Sequence, residues 1–378
     1  MECCDALIVG GGPAGSTCAR QLCQAGLDVV VMDKHRFPRD KVCAGWITPG
    51  LVDELDLNVA DYQRGRVWQP IKNFRTGLID GPAVFTAYDQ VVSYGILRRQ
   101  FDDYLLRRAG ARLRLGEAVK TLQRQGNDWI VNGVVRTPLL IGAGGHFCPV
   151  ARRLGAGPGR DEPIIAAQEV EFPLSPAQAA RCGAAGDTPE LYFCHDLKGY
   201  GWCFRKGDYL NIGLGREDSH QLPRHVAAFL GFLVQRGTVP DDASQHFKGH
   251  AYLLYTQRRP RPLVADGALL IGDAAGLAHP QSGEGIRPAV QSALIAAAAV
   301  AAARGDYRRA RLAAYPRDMS ALFGPRRGKV AFTAHLPPGL SKWLAARLLA
   351  SPWFSRRVLL DRWFLHRQQA PVKVTGGP

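Results

Sequence analysis

Apolar residues are distributed along this chain in two rhythms. Asp5-Ala-Leu-Ile-Val9 and Asp28-Val-Val-Val-Met-Asp33 are short aliphatic runs bounded by glycine or an acid. Runs of this kind predict parallel strands buried on both faces. Between them, Ser16 to Ala25 suits a helix that Gly26 stops. Residues 66–95 alternate apolar and polar, broken by Gly77, Gly81 and Gly95, which predicts strands. Leu97 to Ala109 reads as an amphipathic helix and Ala111 to Leu115 as a strand. A hairpin follows through Val119–Leu122 and Trp129–Val135 around Gly126-Asn127-Asp128, and Leu139–Ala143 is a further buried strand.

From about residue 160 to 260 the rhythm changes. Ile164–Phe172, Leu191–His195, Trp202–Arg205, Tyr209–Leu214 and Ala251–Tyr255 all predict strands, with one helix near His225–Gln235. An antiparallel sheet lying between two glycine-rich α/β stretches predicts an inserted domain. The first pattern then resumes with Ala268-Leu-Leu-Ile-Gly272-Asp273, followed by a helix from Ile286 through an alanine run to Arg304. The remainder is expected to be helical, broken at Pro325, Pro337-Pro338 and Pro352.

Two glycine clusters bring chemistry into this pattern. Gly10, Gly12 and Gly15 fit G-x-G-x-x-G between a strand and a helix. The first glycine allows the tight turn, the second lets a pyrophosphate approach, and the third lets helix and strand pack closely. Pro13 and Ala14 open the helix, whose free N–H groups and dipole favour an anion. Asp33 ends the second strand, where a carboxylate can accept from ribose hydroxyls, with Lys34 beside it. These features predict an adenine-dinucleotide site. Asp273 ends a later strand, and Gly283 and Gly285 open the helix at Ile286, placing a second dipole near the same ligand.

Composition narrows the alternatives. The chain has 378 residues, enough for two domains, and nine cysteines with no C-x-x-C pair, which suggests thiols in a reducing compartment. No signal peptide precedes the first strand and the longest apolar run, Ala293–Ala303, is too short to span a bilayer, so a cytoplasmic location is expected. Net charge is +15, and residues 304–378 hold 15 of the basic residues against three acidic ones. Trp343, Leu348, Leu349, Trp353, Phe354, Trp363 and Phe364 interleave with those arginines, so a solvated basic face and a peripheral contact with the inner face of a membrane are both open. No nucleic-acid motif, metal-ligand spacing or G-x-S-x-G is present.

Four further stretches carry a family resemblance. Lys41-Val-Cys43-Ala-Gly45 resembles a K-x-C-G-G loop, and Arg98 with Phe101, Asp102 and Leu105 resembles an arginine helix near a flavin. Tyr200-Gly-Trp202-Cys-Phe204 with Asn211-Ile-Gly213-Leu-Gly215 resembles Y-x-W-x-F-P…N-V-G-x-G, and Ser282-Gly-Glu-Gly-Ile286 resembles T-G-E-G-I. With the two glycine motifs, these resemble the geranylgeranyl reductase family of FAD-dependent oxidoreductases, of the p-hydroxybenzoate hydroxylase-like fold shared with flavin monooxygenases and halogenases. The resemblance spans residues 5 to about 320. It implies an α/β fold: a Rossmann-like FAD-binding domain of the glutathione reductase/p-hydroxybenzoate hydroxylase type, an inserted antiparallel-sheet substrate domain and a C-terminal helical segment. The expected boundaries are 1–65, 95–158 and 262–320 for the first, 66–94 and 159–261 for the second, and 321–378 for the third.

The resemblance also implies roles. FAD would be held by Gly10, Gly12, Pro13, Ala14, Gly15, Asp33, Lys34, Lys41, Arg98, Gly272, Asp273, Gly283, Gly285 and Ile286. Cys43 and Trp46 would stand at the reacting ring, a buried structural thiol being the other reading of Cys43. Tyr200, Trp202, Phe204, Arg205 and Pro280 would line a substrate pocket. Two departures matter: Gly144 replaces an aspartate tied to nicotinamide use, so NAD(P)H and a reduced carrier protein both remain as donors. Arg205 replaces a proline and is otherwise an exposed strand-end charge. The implied reaction is reduction of carbon–carbon double bonds in a bulky isoprenoid, polyene or polyketide substrate. Monooxygenation of an aromatic or polyketide substrate is the alternative, with halogenation below it because W-x-W-x-I-P is absent, and a flavin-binding accessory protein without turnover is the third possibility.

Overall fold

The computed structural model describes residues 1–157, 164–218, 220–255, 261–324 and 338–372. Arg326, Arg327, Lys329 and Lys373 of the basic tail, and the breaks expected at Pro325 and Pro337, lie outside the described residues.

The two aliphatic runs at the start pair in parallel, Ala6–Val9 against Val29–Asp33, at the centre of a six-stranded sheet. Its order is Val264–Ala265, Ala268–Leu270, Leu139–Gly142, Ala6–Val9, Val29–Asp33 and Arg112–Leu115. All pairs are parallel except that of the first two strands. The runs are unbroken because both faces are covered, on one side by helices Pro13–Gln24 and Ile286–Ala303, which pack on each other. Gly15 lets the first helix approach the strand and turn before it, since a Cβ there would lie 1.8 Å from the Gly10 carbonyl oxygen. Ile286–Ala303 is long and apolar enough to cross a bilayer, yet 83% of it is buried inside the protein. It is a core helix.

The alternating stretches build a seven-stranded sheet in the order Lys248–Leu253, Ile164–Pro173, Tyr209–Arg216, Gly199–Lys206, Glu190–Phe193, Asn73–Leu78 and Ala83–Ala87. One face of this sheet carries Val170, Cys203, Leu210, Ile212 and Leu214 against helix Leu222–Gln235. The other face, with Ala167, Leu191, Trp202 and Phe204, turns towards the first sheet's carboxyl edge. The strands expected over residues 66–95 divide. Asn73–Leu78 and Ala83–Ala87 join the large sheet, whereas Ser93–Gly95 lies between Gln69–Ile71 and Trp46–Ile47 and pairs with both in a separate three-stranded one. The expected hairpin forms as Leu122–Gln125 with Asp128–Val131, turned by Gly126 at positive φ.

The last described segment folds back over the molecule. Helices Pro338–Leu349 and Pro352–Phe354 lead into a π-helical stretch, Ser355–Phe364. Leu349, Leu359, Leu360, Phe364 and Leu365 join the core cluster that holds Trp202 and Phe204. The backbone N–H of Val372 reaches Glu54 Oε1 at 3.1 Å, which also accepts from Arg287 Nη2 at 3.1 Å and Gln291 Nε2 at 2.7 Å. Arg287 and Glu54 are both fully buried, so each depends on the other to offset lost hydration. Glu54→Ala is expected to lower unfolding free energy in urea by about 3–5 kcal/mol. The Glu54→Leu/Arg287→Met pair should lose less than that single change; an equal or larger loss would disprove the coupling.

Candidate active site

A cavity of about 590 Å³ opens where the carboxyl ends of the parallel strands meet the concave face of the seven-stranded sheet. Gly10, Gly12, Pro13 and Ala14 line it at the start of the first helix, and Asp33 and Lys34 line it at the end of the second strand. Asp33 Oδ2 accepts from the Gly11 N–H and Oδ1 from the His35 N–H, each at 2.8 Å, which sets the carboxylate in place. No side chain caps the helix at Gly12, so its free N–H groups remain open to an anion. Beside it stands Arg39, with a buried Nη1 that has no partner. Across the cavity Gly283, Gly285 and Ile286 start the second uncapped helix. A Cβ on Gly285 would sit 3.2 Å from Asp273 Oδ1, and one on Gly283 would sit 2.4 Å from the Tyr252 hydroxyl. Two open helix starts, a preset carboxylate and a guanidinium with one nitrogen unpartnered fit a dinucleotide pyrophosphate and its ribose.

The loop at residues 41–46 reaches into the middle of this cavity and is held by the large sheet. Asn211 Nδ2 donates to the Cys43 carbonyl at 3.3 Å, and its Oδ1 accepts from Trp202 Nε1 at 2.7 Å. Lys206 Nζ donates to the Ala44 carbonyl at 2.9 Å, to the Ile96 carbonyl at 3.1 Å and to Glu171. Beneath the loop, Arg98 makes a two-pronged pair with Asp102 at 2.8 and 2.9 Å, and Arg39 adds a third charge at 3.2 Å. Lys41 Nζ contacts His250 Nε2 at 2.9 Å. Burial pulls Lys41 down to about 8 and His250 down to about 3, so a neutral imidazole accepts from the ammonium near neutral pH.

An aromatic wall encloses the other side. Trp46, Tyr200, Trp202, Phe204 and Phe364 line the cavity. Phe364 stacks on Trp46 at 5.5 Å and meets Tyr200 edge-on at 5.3 Å. Three more groups meet where the C-terminal segment touches the second glycine turn. His366 Nε2 lies 3.4 Å from Glu284 Oε2, and the His366 and His279 rings stack at 4.1 Å. Burial raises Glu284 to about 7 and lowers His279 and His366 to about 3 and about 4. One ligand atom from each of the three lies within 4.8 Å of the others, a spacing that could hold a metal ion.

The cavity gathers most of the residues singled out in the sequence: Gly10, Gly12, Pro13, Ala14, Asp33, Lys34, Lys41, Cys43, Trp46, Arg98, Tyr200, Trp202, Phe204, Asp273, Gly283, Gly285 and Ile286. Four expected residues stand elsewhere. Gly15 and Gly272 serve packing behind it, Gly272 at positive φ against Ala14. Pro280 is half-buried and off the lining. Arg205 is a correction: strand alternation turns it from the face that Tyr200, Trp202 and Phe204 share, and its Nε donates to the Gly207 carbonyl at 3.2 Å. Lining residues not expected include Arg39, Glu169, His250, Tyr252, Glu284 and Phe364. Glu169 had a legible signal, since it alternates with the buried Ile165 and Ala167 on one strand.

Comparison with known proteins accords with this geometry. Residues 5–73 match the FAD dependent oxidoreductase family model, and that segment holds the glycine turn, Asp33 and the Cys43 loop. The chain is an FAD-dependent oxidoreductase. It is 29% identical to menaquinone reductase of Mycobacterium tuberculosis, over 78% of this chain and 75% of that one. It is 28% identical to digeranylgeranylglycerophospholipid reductase of Methanothrix thermoacetophila, over 79% and 78%. In fold this oxidoreductase resembles a geranylgeranyl bacteriochlorophyll reductase-like protein of Thermoplasma acidophilum, with a TM-score of 0.73 at 22% identity, covering 93% of this chain and 88% of that one.

Lys206→Met should release the loop that carries Cys43. Peptide mass spectrometry is expected to show Cys43 alkylated by iodoacetamide at least about tenfold faster than in the parent, as local opening becomes easier. An unchanged Cys43 rate in a folded variant would show that Lys206 does not hold the loop.

Proposed function

We propose that this oxidoreductase saturates carbon–carbon double bonds in a long isoprenoid-type lipid. What carries the reading is the continuity of one cavity, in which the cradle suited to a dinucleotide runs into a wall of five aromatic rings. An aromatic wall accepts an extended apolar chain through dispersion and exclusion of water, and offers few polar groups to a small hydrophilic substrate. Two of the relatives named above are reductases of prenylated molecules, which supports the same class here.

In this reading Gly10, Gly12, Pro13, Ala14, Asp33, Lys34, Arg39 and Asp273 hold FAD, with Lys41, Arg98, Gly283, Gly285 and Ile286 around its reacting ring. Bound FAD supplies the hydride. Cys43 and Trp46 border the reacting region, and Phe364 closes it from water. The reducing equivalents come from NAD(P)H or a reduced carrier protein. An anaerobic single turnover with chemically reduced protein tests the reaction whichever donor serves. Mixed with a geranylgeranyl lipid or a menaquinone, the flavin is expected to reoxidise and the lipid to gain two hydrogens. Failure with every prenyl lipid, together with oxygen incorporation into an aromatic substrate in air, would favour the monooxygenase alternative.

We further infer that the C-terminal segment rests on an anionic membrane from which the lipid is drawn. Trp343, Leu348 and Trp353 are exposed, Arg347 lies over the Trp343 ring at 5.2 Å, and Arg357 is exposed nearby in sequence. Indole rings with arginines suit the headgroup boundary. Trp343→Ser/Trp353→Ser is expected to weaken binding to phosphatidylglycerol vesicles at least about fivefold in sedimentation, given the apolar area removed. Equal sedimentation of parent and variant would remove this contact.

A further inference from the structure

Saturating a double bond takes a proton as well as a hydride, and nothing above says where the proton comes from. We propose that Glu169 is the acid that protonates the substrate. This rests on the reductase reading. Glu169 lines the cavity on the same face as Trp202, and only 5% of it is exposed. Its Oε2 is buried with no hydrogen-bond partner. Gly213, paired with both residues across the sheet, brings them together: a Cβ there would lie 2.3 Å from the Trp202 ring and 2.8 Å from Glu169 Cβ. A buried carboxyl beside an indole, with one oxygen left without a partner and facing the cavity, is a group arranged to give up a proton rather than to hold a cation.

The surroundings favour the protonated form. Burial pushes Glu169 up to about 7, against the opposing pull of the Cys43 backbone N–H, Lys206 and Arg98, with Glu171 adding to the rise. Lys206 is engaged with Glu171 and two carbonyls, and Arg98 with Asp102. Lys248, opposite Glu169 on the neighbouring strand, is paired with Asp40 at 2.7 Å. His250, two positions along, holds Lys41. Among the described residues, each of these cations is paired with a partner other than Glu169.

In the step itself, Glu169 would give its proton to one alkene carbon, and the other would take the hydride that FAD, when bound and reduced, would supply. The π bond would be lost and two C–H bonds formed, the two electrons arriving with that hydride, and the carboxylate would be reprotonated from solvent. The test uses Glu169→Gln, close in shape, with Glu169→Asp as a second variant. Single-turnover oxidation of the reduced holoprotein by the prenyl lipid at pH 6.5 is expected to slow at least about 100-fold in Glu169→Gln. The parent rate should be level below pH 7 and fall above it as the acid form is lost; that limb should vanish in Glu169→Gln and reappear, shifted, in Glu169→Asp. Independently of turnover, difference infrared spectra of the protein without substrate should show protonated carboxyls titrating near pH 7. One band should be missing in Glu169→Gln, and Glu284→Gln identifies the other. An inert parent would bring down the reductase reading and this assignment with it. An active parent, with Glu169→Gln keeping its rate, its pH limb or both infrared bands, would overturn the acid assignment alone.

Discussion

The site hangs on one buried ammonium. Lys206 is 1% exposed and would be costly there without partners, since moving a charge out of water takes several kcal/mol. Its donors meet the Ala44 and Ile96 carbonyls and the Glu171 carboxylate. Space for it comes from two glycines. A Cβ on Gly45 would fall 2.7 Å from Nζ, and one on Gly95 would fall 2.8 Å from Lys206 Cγ. Lysine and glycines therefore work as one device that pins the Cys43 loop, and the chain entering the Arg98 helix, to the large sheet. Beside it, Asn211 on the Cys43 carbonyl and the Lys41–His250 contact are further polar ties between this loop and the large sheet.

That device also separates two acids that the sequence presents as equals. Glu169 and Glu171 sit on one strand and face the same way. Glu171 lies within reach of Lys206 and accepts from Asn211 Nδ2 at 3.1 Å, so it acts as a fixed counter-charge. Glu169, one pleat along, has the indole of Trp202 beside it and no cation of its own. A carboxyl against an aromatic face keeps its proton to higher pH, whereas one against an ammonium gives it up. A single lysine thus divides a structural carboxylate from a chemical one.

The glycine turns, the buried strands and the alternating aromatics were legible because each rests on local geometry. Gly15 meets the Gly10 carbonyl within the motif itself, though Gly10 also has to clear the distant Ala143 carbonyl, and Tyr200, Trp202 and Phe204 share a face by pleat alone. The error at Arg205 came from the same rule carried too short. The next residue on that face is Lys206, but where a strand ends depends on its partner, here Tyr209–Arg216. His250 and Tyr252 were not legible because their strand is an edge of the sheet, placed beside the cavity by pairing with Ile164–Pro173. Phe364 and His366 belong to a stretch with no motif, and only its docking brings them to the cavity.

That docking has a chemical consequence beyond closing a surface. Phe364 stacks on Trp46, and the Val372 N–H adds to the Glu54–Arg287 pair, so the tail is fastened both over the cavity and beneath the second glycine helix. Chain packed in place of water lowers the local dielectric, and burial is what raises the two acids that line the cavity. Glu284 under His366 and Glu169 under the aromatic wall both lie near 7, for the same cause and from opposite sides of the cavity's frame.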